Sequence, residues 1–251
     1  MRNIDQIREV EAFCEEAAAT VISYINIDDF FLDTEEDAWF LDELRTRIDI
    51  EKGPEQFFFL GVKLPESFMD LDDDLDGITI TAAVFRDMEE FSISADNMPL
   101  DGSAVGLHLN VFLTSEVAEA IKSGNQIVMN VLFDEMENSI RHEFEHIIQD
   151  DFSDLVDYLS YHKINFRSGK DQCHLCLYLV QPAEVSAHVR GYEQISSTHF
   201  EFYKNILNLL RGYTHAGHLT SDEELRVFLC WKDWFQRNTY IKDLGEELCA
   251  K

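Results

Sequence analysis

The stretch DEMENSIRHEFEHIIQDDF, residues 134–152, sets Met136, Ile140, Phe144, Ile147 and Ile148 at three- and four-residue intervals. That is the pattern of an amphipathic helix with one buried stripe. Asp134 is the expected cap at its start. On such a helix His142 and His146 stand four residues apart, so their imidazoles project from one face about a turn apart and can share a metal ion. Glu143 flanks that face, and both histidines are expected to lie off the buried stripe. Two neutral nitrogens on zinc, beside a carboxylate able to accept a proton from a water, are the parts of a hydrolytic zinc site.

The segments before this helix read as a sheet. Residues 4–22 form an amphipathic helix through Ile4, Ile7, Val10, Phe13, Cys14, Ala17, Ala18, Val21 and Ile22, and an acidic helix is expected from Thr34 to Arg47. Strand-like runs follow: EQFFFLGVKL, ITITAAVF, FSISA, GLHLNVFLT and QIVMNVLF, with Asp-Gly turns at 76–77 and 101–102. Four or five strands are expected, with a short helix, SEVAEAIKSG, closed by Gly124 between the last two. Beyond residue 133 the pattern turns helical. One helix is expected near Ser197, and another is opened by a Ser221/Glu224 capping box and runs through Trp231 and Trp234. The expected architecture is α+β in one domain, 1–251, with an acidic helix and mixed-sheet lobe (1–133) followed by the motif helix and a helical lobe (134–251).

A catalytic zinc takes a third protein ligand. Gln149 and Phe152 stand where a metzincin would have Gly and His, which excludes that subclass. Downstream, VQPAEVSAHVRGYE opens a helix with Pro182 in its first turn, and Glu184 follows His146 by 38 residues. HEFEH followed by a helical Glu in a P-x-E-x-x-A setting resembles the gluzincin branch of zinc metallopeptidases. It is similar in particular to small predicted metallopeptidases of bacteria and tailed phages, and the resemblance covers residues 134–193. It implies a zincin-like fold, zinc as cofactor, His142, His146 and Glu184 as metal ligands, Glu143 as general base towards a metal-activated water, and Ala187 as a small residue at a helix contact. His188 departs from the thermolysin-like pattern, which has Asp at that position. His188 and His162 therefore remain competing candidates for the third ligand. Tyr192, Arg190, His199, Tyr213, His215 and His218 are candidate donors to an oxyanion.

The net charge is −29, and residues 1–160 carry all of it, with 9 Lys and Arg against 38 Asp and Glu; residues 161–251 balance at 11 against 11. Such a field repels nucleic acid and anionic membrane and favours a peptide or protein substrate with basic segments. Five cysteines fit a reducing compartment, and the absence of a signal-like or membrane-spanning run leads to the expectation of a cytoplasmic protein. The competing reading is a non-enzymatic acidic interaction or inhibitor protein that binds a basic partner. A further alternative is a zinc hydrolase acting on a bond other than a peptide. Cys173 and Cys176 form a lone CxxC, read as buried thiols. Asp72, Asp74, Asp76 and Gly77 open like an EF-hand loop, but Ala83 stands at the closing position, so an acidic turn before a strand is expected. Phe57, Phe58 and Phe59 read as core strand, and Trp231 and Trp234 as packing anchors.

Overall fold

A computed structural model describes residues 4–25, 54, 56–63, 77–99, 105–149 and 173–238. The expected helix at 34–47, the acidic turn at 72–76, the Asp-Gly at 101–102 and His162 lie outside the described residues. The fold is mixed α+β, and the chain divides into two compact units, Met1–Ile140 and Arg141–Lys251.

In the first unit, α1 (Ile4–Ile25) buries Val10, Phe13, Cys14, Ala17, Ala18, Val21, Ile22 and Ile25, a stripe at helical spacing, and packs against β1. The strands β1 (Gln56–Lys63), β2 (Gly77–Phe85), β3 (Ser92–Pro99) and β4 (Val105–Phe112) form one sheet in the order β1-β2-β4-β3. The β1–β2 and β3–β4 pairs are antiparallel, while β2 and β4 run parallel. Residues 80–85 and 107–111 are buried without interruption, as expected of central strands covered on both faces. Edge strand β3 alternates instead, with Ser92, Ser94 and Asp96 exposed and Ile93, Ala95 and Asn97 turned inward.

The burial of residues 107–111 of β4 carries a polar cost that is met locally. His108 lies opposite Thr81, whose Oγ1 is 2.7 Å from Nδ1, and Nε2 is 3.0 Å from Asn110 Oδ1. The Asn110 oxygen can only accept, so Nε2 carries the proton and the Thr81 hydroxyl donates to Nδ1. This histidine is a satisfied core residue.

The run QIVMNVLF is helical, contrary to the strand expected there. Helix α2 (Ser115–Lys122) is capped by Thr114, and it ends with Gly124 at φ 70°. The Gly124 N–H bonds the Ile121 carbonyl and the Asn125 N–H bonds that of Ala120, a Schellman closure. Asn125 then opens α3 (Gln126–Gln149), its Oδ1 accepting from the N–H groups of Ile127 (3.1 Å) and Val128 (3.4 Å). One residue thus ends one helix and caps the next. Asp134, the expected cap, lies inside α3, and the motif does not directly follow a strand.

The described residues of the second unit are mainly helical: the C-terminal part of α3, then α4 (Cys173–Leu179), α5 (Pro182–Gln194), α6 (His199–His215) and α7 (Ser221–Asn238). Its core joins Cys176, Leu179, Val185, Val189, Phe202, Ile206, Leu210, Leu219, Val227, Trp231 and Phe235. Val227, Trp231 and Phe235 recur every fourth residue of α7, which turns one stripe inward. Phe235 stacks on Phe202, and the Trp231 indole N–H donates to the Leu179 carbonyl at 2.7 Å. The helix α7 is capped one residue earlier than expected, by Thr220 and Glu223. The Thr220 N–H bonds Glu223 Oε2 at 2.8 Å and the Glu223 N–H bonds Thr220 Oγ1 at 3.3 Å. Among the described residues no helix is long and apolar enough to cross a membrane.

Candidate functional site

The stretch of α3 that opens the second unit is buried on most of its circumference, with Arg141, Phe144, Glu145, His146 and Ile147 all inside. Arg141 and Glu145 neutralise each other one turn apart at 2.8 Å, which lets both charges be buried. His146, expected off the apolar stripe, is buried with it. His142 and Glu143 keep 14 % of their side-chain surface and form the solvent-reachable edge.

Four residues apart on this helix, His142 Nε2 and His146 Nε2 approach to 3.2 Å. Helix α5 delivers Glu184 to the same point. Pro182 starts that helix, Gln181 flanks it in extended conformation, and Glu184 falls in its first turn, where the N-terminal end of the dipole favours a carboxylate. Glu184 Oε1 lies 3.5 Å from His146 Nε2 and Oε2 lies 3.7 Å from His142 Nε2. The three residues named from the sequence as a ligand set are therefore brought together. Glu143 Oε1 is 3.7 Å from His142 Nε2, on the more open side. Ala187 is fully buried.

His188, one turn beyond Glu184 on α5, joins the cluster. Its Nε2 is 3.7 Å from Glu184 Oε2, and its ring meets that of His142 edge-on at 4.3 Å. Its other side lies on Trp231, with ring centroids 4.6 Å apart and planes 20° from parallel. His142, Glu184 and His188 offer ligand atoms within 4.8 Å of one another and could hold a metal ion.

Burial sets the protonation states. Glu184 has no exposed side-chain surface, and desolvation pushes its carboxyl up to about 8. Desolvation, reinforced by His146, pulls His188 down to about 3, so that ring is neutral. The Tyr213 hydroxyl is raised by burial first and then by the field of Glu184, which keeps it a hydrogen-bond donor.

The donor set fits a metal ion. Ligands about 2.0–2.1 Å from a tetrahedral centre lie about 3.3–3.4 Å from one another. The separations of 3.2, 3.5 and 3.7 Å fall around that edge. A fully buried carboxylate facing two imidazole nitrogens is also costly to ionise in the protein alone, and a cation removes that cost.

Of the other residues raised by the sequence, Arg190 is engaged by Glu193, by the Asn238 carbonyl and by the Trp234 ring. His199 sits edge-on to Phe235, and His215 and His218 are exposed. Cys176 is buried in the core of the second unit. The closeness of Tyr213 to Glu184 has no sequence signature, because α5 and α6 meet only through the folded core. Comparison with known proteins finds no match: no family model fits the chain, and neither curated proteins nor solved structures include one similar to it.

Proposed function

We propose that this protein is a zinc-dependent hydrolase, a peptidase of the gluzincin type with a zincin-like arrangement, in which His142, His146 and Glu184 hold the metal. The observation that carries this reading is the convergence of two imidazole nitrogens from α3 and one buried carboxylate from α5 at 3.2–3.7 Å. When bound, zinc supplies a Lewis acid that polarises a carbonyl and acidifies a water near neutral pH.

The chain's own residues divide the remaining work according to exposure. Glu184 and His146 are sealed inside and can only bind. Glu143 stands at the edge, 3.7 Å from His142, where a carboxylate can accept a proton from water and return it to a leaving amine. The Tyr213 hydroxyl, held protonated beside Glu184, is the best-supported donor for an oxyanion among the six candidates. The acidic charge of residues 1–160 favours substrates with basic segments.

Elemental analysis of the purified chain, followed by cleavage of a peptide library with and without chelator, tests the reading. One zinc per chain and chelator-sensitive cleavage are expected. Glu143→Gln should keep the zinc and the fold while lowering the rate at least about a hundredfold, since it removes a proton acceptor and no ligand. A chain that binds no metal and cleaves nothing would refute the proposal and favour the acidic binding protein.

A further inference from the structure

We infer that His188 is a fourth protein ligand to the same ion, so that the centre is built from three imidazoles and one carboxylate; this rests on the metal reading above.

Three features point the same way. The ring is clamped: it lies flat on Trp231, which is itself fully buried and anchored by its indole N–H to the Leu179 carbonyl. Such a stack fixes the plane of the imidazole before any metal arrives. Its Nε2 is buried and has no hydrogen-bond partner among the described residues, yet it is aimed at the cluster, 3.7 Å from the same Glu184 oxygen that lies 3.7 Å from His142 Nε2. A buried ring nitrogen without a hydrogen-bond partner is expensive unless something else uses its lone pair. Finally, a residue that only oriented Glu184 would donate a hydrogen bond to it, and 3.7 Å is too long for one. His188 also follows Glu184 by four residues, as His146 follows His142, so each helix contributes two donors one turn apart.

Four protein donors would leave no free tetrahedral corner, so the water of the hydrolytic reading would have to enter as a fifth ligand or in place of His188, which ties access to this side chain.

X-ray absorption on the full chain loaded with one equivalent of zinc decides the matter, because it counts imidazoles directly. Three are expected in the wild-type protein and two in His188→Phe, which keeps a ring on Trp231. The variant should also bind zinc more weakly by over about a hundredfold, the upper end of what is lost when a residue merely bonded to a ligand is removed. Two imidazoles in the wild-type protein would overturn the four-ligand centre: a count unchanged in His188→Phe would leave the site of His142, His146 and Glu184 intact, and a count falling to one would put His188 in place of His146. Failure of the wild-type chain to bind zinc at all, or binding unaffected by His142→Ala, would overturn the metal reading and this inference with it. The wild-type spectrum needs no variant, so poor folding of His188→Phe does not block the test.

Discussion

Glu184→Gln should stabilise the metal-free protein at alkaline pH while weakening its response to zinc. The wild-type carboxyl is held near 8 by burial, against 4.5 when exposed. Between those values the native state keeps a proton that the unfolded chain releases, so stability falls as pH rises through that window and levels off above it. At about 1.4 kcal/mol per tenfold change in proton activity, the loss between pH 5 and pH 8.5 is at most about 4 kcal/mol. Gln carries no charge to desolvate and shows no such loss. Its own cost of burial is constant with pH, so it drops out when the wild-type and variant difference at pH 5 is subtracted from that at pH 8.5. His188 titrates lower and with the opposite sign: its pKa is pulled from 6.5 to about 3, so stability rises with pH across that interval in both proteins. Urea melts in chelator, followed through the transition of the second unit, measure the double difference. A value below about 1 kcal/mol would mean that Glu184 is not desolvated as the fold implies. Adding zinc at pH 8.5 should then raise the midpoint of the wild-type protein by more than that of Glu184→Gln.

The helix caps give sharper tests of local structure. Thr220→Ala should cost about 1 kcal/mol by urea denaturation, the usual worth of an N-cap hydroxyl, whereas Ser221→Ala should change little. Equal losses would put the cap at the wrong residue. Asn125→Ala should cost a similar amount, about 1 kcal/mol, by removing the acceptor for the first N–H groups of α3, and hydrogen exchange at Ile127 and Val128 should speed up selectively. Unchanged protection there would refute this cap.

The clustered residues were legible in the sequence because helical spacing is a local property: His142 and His146 share a face by arithmetic, and Pro182 marks the turn in which Glu184 sits. The misreading of QIVMNVLF has a physical cause. Ile127, Val128 and Val131 are β-branched and follow a Gly-Asn pair, which together mimic a turn leading into a strand. Yet Val128, Leu132, Met136, Ile140 and Phe144 recur every four residues straight through Asp134, and this period was the better guide. Ile127 and Val131 lie on the outer face and are exposed, so they did not need a second covered side. The cap of α7 was misplaced because Thr220–Glu223 and Ser221–Glu224 match the same pattern, and only backbone geometry separates them. Burial of His146, Arg141 and Glu145 could not be read from α3 alone, since it depends on what the second unit packs around that helix. The role of His188 was legible only as a departure from a pattern. What raises it further is Trp231, 43 positions away in the chain, a partner that no spacing reveals.

The stack of Trp231 on His188 gives the site an optical handle. Indole emission is sensitive to the charge and electronic state of whatever touches the ring, and here the contact is a candidate ligand at 4.6 Å. The neighbouring Trp234 reports on something else, because its face is covered by Arg190. Occupancy of the cluster can therefore be followed by intrinsic fluorescence, with a quenching ion such as Cu2+ or Co2+ in place of zinc, without labels and without a known substrate. Binding at the centre can thus be titrated before any chemistry is assayed.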